Sequence, residues 1–148
     1  MNDDDLDGHR RMGAAAFNRA WELLDLTERE PEQNDEMLAA TFGQRHHWYV
    51  AGDARNRAIA DWQVSRVTAV LGQADLARHY AERSLGESHD QDLDSFVIAY
   101  AHEALARALH LAGDPAGCER HRTAALALAD AIADVEDRRR LLEDLEDL

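Results

Sequence analysis

Three short helix-breaking segments recur at one interval along a chain that otherwise favours helix: Glu30-Pro31-Glu32, Gly72-Gln73-Ala74 and Gly113-Asp114-Pro115 are set 41 residues apart. A period of roughly 20–50 residues is the signature of stacked supersecondary units, each burying its apolar face against the next. Between the breaks little interrupts a helix, since 148 residues include only 2 prolines and 8 glycines while alanine, the best helix former, is abundant. The chain is therefore expected to be all-α, with about three helical hairpins in one domain, a size at which a sizeable core can be buried.

Apolar spacing fills in the hairpins. Phe17, Trp21 and Leu24 recur at intervals of four and three and make one helical face in a first helix over 14–29. Pro31 suits the break after it, and Asn34 or Asp35 is placed to cap a second helix ending near Gly52. A third helix over 54–71 carries Ile59, Trp62, Val67 and Val70, and a fourth runs from about 74 to 85. Polar residues 86–92 read as a linker before a fifth helix over 93–112. The sixth starts near Ala116 and is expected to continue with little interruption, because Asp134/Arg138, Glu136/Arg140, Arg139/Glu143 and Arg140/Asp144 set opposite charges four apart. Leu141, Leu145 and Leu148 then give a capping stripe that packs on the last hairpin or on another chain. The expected organisation is a disordered acidic lead-in over 1–12 and a single domain over 13–148, with hairpins at about 14–52, 53–88 and 89–134 and a cap at 135–148.

Charge narrows the partners. Thirty acidic residues face 16 basic ones, all of them arginine, for a net charge of −14. Such a field repels nucleic-acid phosphates and anionic membrane surfaces, so neither is an expected partner. The absence of lysine and the surplus of Asp and Ala fit a GC-rich genome or adaptation to high salt. Cys118 is the only cysteine, which rules out an intrachain disulfide and agrees with a reducing cytoplasm. The acidic start at Asn2-Asp3-Asp4-Asp5 is unlike a signal peptide, and no apolar run is long enough for a membrane span. A cytoplasmic, bacterial protein is the expectation.

Signatures of catalysis are lacking. The eight histidines contain no pair three or four apart, the spacing that puts two ligands on one helical face, and His46 and His47 are expected to point to different faces. His102, Glu103 and His110 are the nearest approach to a metal constellation, so no metal or other cofactor is expected. No G-x-S-x-G, phosphate loop or dinucleotide fingerprint occurs, and the chain reads as no enzyme.

Aligning the three breaks puts Gly43, Ser84 and Ala125 at one equivalent position and Leu24, Ser65 and Ala106 at another, with Ala77 and Cys118 small as well. This pattern, with Leu71-Gly72 and Ala112-Gly113-Asp114 at the turns, resembles that of tetratricopeptide repeats over about residues 14–130, at a longer period than theirs. The resemblance implies three hairpins in a short right-handed superhelix whose first helices line a concave groove. Carried over by position, the groove residues are Trp21, Asp25, Trp62, Arg66, Tyr100, Glu103, Arg107 and His110, with Asn18, Glu28 and Ile59 beside them. Tryptophan and arginine are the residue types that dominate interface energetics. The alternatives are core packing for the tryptophans and pairing of the arginines with Asp25, Asp61 or Glu103. The leading expectation is a module that binds a protein or peptide, an adaptor or regulator, with a homodimer plausible. The alternative is a helical-bundle enzyme or ligand-binding domain with a histidine-and-acid pocket.

Overall fold

The computed structural model describes all residues 1–148. Seven α-helices follow in order: α1 (Asp3–Leu24), α2 (Pro31–Ala51), α3 (Ala54–Val70), α4 (Ala74–Asp90), α5 (Ser95–Leu111), α6 (Pro115–Leu128) and α7 (Val135–Glu146), with a 3-10 turn at Ala129–Ala131 before the last. No strand is present, and no helix is long and apolar enough to cross a membrane.

Each break of the 41-residue interval separates two helices that pack extensively on each other: α1 on α2, α3 on α4, and α5 on α6. Two kinds of punctuation serve. Pro31 and Pro115 open α2 and α6 at the first helical position, where the missing N–H has no intrahelical acceptor to lose. Gly72 and Gly113 follow α3 and α5 with φ of +78° and +79°, a left-handed conformation that glycine adopts without a Cβ clash. The next residue then closes a Schellman bond, Gln73 N to Thr68 O at 2.8 Å and Asp114 N to Leu109 O at 2.9 Å.

The first helix, expected to reach residue 29, ends at Leu24, and four further helix boundaries depart from the sequence reading. The expected lead-in over 1–12 is helical from Asp3. Asn2 and Asp5 form a reciprocal capping box, and three aspartates sit in the first turn, where the helix dipole favours them. Arg10 Nε also donates to the Ala51 carbonyl at 3.1 Å, tying this segment to α2. Second, α2 begins at Pro31 rather than after Asn34, with Glu30 N donating to Gln33 Oε1 at 2.8 Å. Third, α4 runs on to Asp90 through the expected linker, because its polar residues have partners. Ser84 Oγ donates to Ala58 O at 2.8 Å, Ser88 Oγ to Ser84 O at 2.6 Å, and Glu87 pairs with Arg57 at 2.7 Å. The stop comes at Asp92, a non-glycine residue at φ +50°, with Leu93 N bonded to Ser88 O at 2.9 Å.

The fourth departure concerns the expected run-through from the sixth helix. Ile132 buries its side chain in the core and Asp134 caps a separate α7 by accepting from Asp137 N at 2.9 Å. Of the four expected charge pairs only Arg139–Glu143 forms, at 2.6 Å, while Arg138 donates instead to the Ile132 carbonyl.

The largest core cluster joins Ala99 and Tyr100 of α5, Ala125 and Ala129, Ile132, and Leu141 and Leu145 of α7. A second cluster holds Ala81, Ala104, Leu105 and Leu109, and Trp62 packs against both. A third, of Leu23, Met37 and Val67, joins α1, α2 and α3. Since Leu141 is fully buried and its neighbour Leu142 is exposed, the two substitutions should separate cleanly. Leu141→Ala is expected to cost about 2–5 kcal/mol in urea unfolding, whereas Leu142→Ala should stay within about 0.5 kcal/mol of the parent.

Candidate functional site

A cleft of about 630 Å³ opens between four helices. Phe17, Asn18, Trp21 and Asp25 come from α1, Ile59 and Trp62 from α3, Phe96, Val97 and Tyr100 from α5, and Arg140 and Asp144 from α7. Phe17, Trp21 and Asp25 are four apart, Ile59 and Trp62 three, Phe96 and Tyr100 four and Arg140 and Asp144 four, with Asn18 and Val97 beside them, so each helix contributes one face. The volume falls in the range of ligand-binding pockets.

Its walls carry a continuous aromatic run. Phe17 meets Trp21 edge to face with centroids 6.5 Å apart; Trp21 leans on Trp62 at 5.6 Å; Trp62 meets Tyr100 at 5.5 Å; and Tyr100 touches Phe96 at 5.0 Å. These are the edge-to-face and tilted geometries that the ring quadrupoles favour. Polar atoms are few. Tyr100 donates its hydroxyl to Asp144 Oδ2 at 2.9 Å, and burial, reinforced by that carboxylate, pushes the phenol well above its ordinary pKa. The indole Nε1 of Trp62 is buried and has no hydrogen-bond partner, an uncommon state for a buried donor. Asn18, Asp25 and Arg140 stand exposed at the rim.

Of the eight groove positions read from the sequence, Trp21, Asp25, Trp62 and Tyr100 line this cleft. Arg66, Glu103 and Arg107 form a separate ion cluster: Glu103 is fully buried, and its Oε1 accepts from Arg66 Nη1 at 3.3 Å and from Arg107 Nε at 2.8 Å. His110 is exposed near the end of α5. The contributions of α7, Arg140 and Asp144, were not foreseen, since where a terminal helix docks is a tertiary matter that local periodicity does not encode.

The histidines are arranged differently from the sequence reading. His102, Glu103 and His110 do not converge, because Glu103 is held by the two arginines. His102 faces His121 instead, with Nδ1 atoms 3.0 Å apart and rings stacked at 5.3 Å. His46 and His47, expected to diverge, both approach His9 of α1, whose ring centroid lies 6.0 Å and 5.0 Å from theirs. Cys118 is buried and its thiol is pushed up in pKa by burial, as suits a packing role.

No protein-family model matches the chain, and neither does any curated protein or solved structure. What fold and site define together is an all-α protein with an aromatic cleft shared by α1, α3, α5 and α7.

Burial, together with His121 and His89, holds His102 at a pKa of about 4 against its ordinary 6.5. Between those values the unfolded chain binds a proton that the folded chain refuses, so stability is complete above the higher value and is lost as pH falls towards the lower. His47 and His121 are lowered as well, chiefly by burial, and act in the same direction. Urea unfolding is expected to show stability falling as pH drops from about 6.5 to 4, with a shallower slope for His102→Gln.

Proposed function

We propose that the protein is a binding module of tetratricopeptide-like build, an adaptor or regulator that holds a peptide or partner helix on the face formed by α1, α3 and α5. The observation that carries this reading is the run from Phe17 through Trp21, Trp62 and Tyr100 to Phe96 along the walls of the cleft. Large aromatic side chains give high contact energy at low conformational cost, and such residues, clustered around a desolvated pocket, are the usual anchors of recognition. An apolar side chain of the partner fills the cleft, a backbone carbonyl beside it accepts from the free Trp62 indole N–H, and the charged rim sets orientation. Arg66 and Arg107 take no part in recognition, because Glu103 already holds them.

A small apolar ligand is the second reading, favoured by the volume of the cleft. A histidine-and-acid pocket has less support, since no histidine lines the cleft.

The test is a display selection of peptides against the natural protein, followed by affinity measurements on Trp21→Ala and Arg140→Glu. Both residues lie outside the buried core clusters, and circular dichroism checks that the variants fold. Trp21→Ala should weaken a selected peptide by roughly thirtyfold or more, the scale of a hot-spot residue. Equal binding to the parent and both variants would place recognition elsewhere.

A further inference from the structure

Outside the cleft, one group of side chains converges from two helices. His9 near the start of α1 and His46 and His47 near the end of α2 bring one ligand atom each within 4.8 Å of one another. The ring centroids of His46 and His47 are 5.3 Å apart, and His9 Nδ1 lies 2.8 Å from His47 Nδ1. Apart from that single contact, no side chain or backbone group hydrogen bonds to any of the three rings. The single contact uses two of the six ring nitrogens and leaves the other four without a protein partner, and no carboxylate belongs to the cluster. The three imidazoles are a donor set suited to a late first-row metal.

We propose that His9, His46 and His47 bind a divalent transition-metal ion, of the Cu²⁺, Ni²⁺ and Zn²⁺ class, that clips the N-terminal turns of α1 to the C-terminal turns of α2. Metal–imidazole bonds of about 2.0–2.1 Å meeting at a right angle span about 2.9 Å, close to the His9–His47 separation. Right-angle nitrogen ligation is the tetragonal preference of Cu²⁺ and Ni²⁺, whereas tetrahedral Zn²⁺ asks for roughly 3.3 Å, within reach of a small pivot of two partly exposed rings. Water completes the coordination. Gly13 belongs to the same arrangement. A Cβ there would lie 3.0 Å from the Trp48 ring and 3.3 Å from His47 Cβ, so its absence lets α1 come close enough for His9 to reach α2.

The second histidine group supplies an internal control. His102 and His121 also face each other, with His89 6.1 Å from His102 between ring centroids, yet those three do not bring three ligand atoms together.

The experiment is calorimetric titration of the chelator-stripped 148-residue chain with CuCl₂, NiCl₂ and ZnCl₂ against a weak competing chelator, run in parallel on His9→Ala, His46→Gln, His47→Ala and His102→Ala. One equivalent should bind the parent and His102→Ala alike, with an increase in melting temperature. Each of the other three variants should lose affinity at least roughly tenfold. His46→Gln guards against misfolding, since the His46 side chain is exposed and makes no hydrogen bond. Equal binding by all variants would mean adventitious metal on scattered surface histidines and would overturn the proposal, as would no binding by the parent.

Discussion

The close approach of neighbouring helices, fixed by buried side chains that reach across to backbone carbonyls, is the constraint on which the rest of this structure depends. Ser65 Oγ of α3 donates to Ala77 O of α4 at 2.7 Å, and Ser84 Oγ of α4 returns to Ala58 O of α3 at 2.8 Å. Gln44 of α2 donates to Ala60 O at 3.0 Å. Gln63 of α3 accepts from Thr41 of α2 at 3.0 Å while donating to Phe17 O of α1 at 2.9 Å. Such contacts are possible only where the facing residues are small, and Ala58, Ala60, Ala77 and Ala81 are almost wholly buried. Each bond contributes about 0.5–1.5 kcal/mol, but a buried partner left unsatisfied costs about 1–3 kcal/mol, so the ties penalise any other register. Because Gln63 binds both α1 and α2, it sets where α1 lies against α3, and with it the separation of Trp21 and Trp62.

Buried charge works in the same sense. Asp61 of α3 is fully buried and is met by Arg45 and Tyr49 of α2 and by Arg83 of α4, while Glu103 of α5 is met by Arg66 of α3 and Arg107 of its own helix. A chain without lysine makes these contacts with arginine, whose planar fork suits buried carboxylates. Ion pairs of this kind add little net stability over an apolar core of the same shape, yet breaking one strands a charge. They therefore favour one arrangement of α2 to α5 over its competitors, with Arg66 and Arg107 held on Glu103.

How much of this was legible in the sequence divides along local and non-local lines. The breaks at Pro31, Gly72 and Gly113 were readable because proline and glycine act on their own backbone. The end of α4 was not, since Asp92 adopts the left-handed conformation without being glycine and the polar residues before it are satisfied by α3. Residues 3–12 looked too polar to fold, but their helix rests on a cap at Asn2 and on contacts with α2 about forty residues away. The same holds for the site. Trp21, Trp62 and Tyr100 could be picked out by register, whereas Arg140 and Asp144 enter through the docking of α7, and His9 meets His47 across two helices. Spacing rules for metal ligands along one helix do not see that meeting.

Cleft and fold are thus one construction: the ties that hold α3 between its neighbours also aim the faces of α1, α3 and α5 at a common space. The most direct test of that claim is to follow the three tryptophan indole N–H resonances in a ¹⁵N-labelled sample as a selected peptide is added. The Trp21 and Trp62 resonances should shift, with Trp62 moving from the position of an unbonded indole towards that of a bonded one, while Trp48, on α2, shifts least. A peptide that moves Trp48 and leaves Trp21 and Trp62 in place would contradict the account.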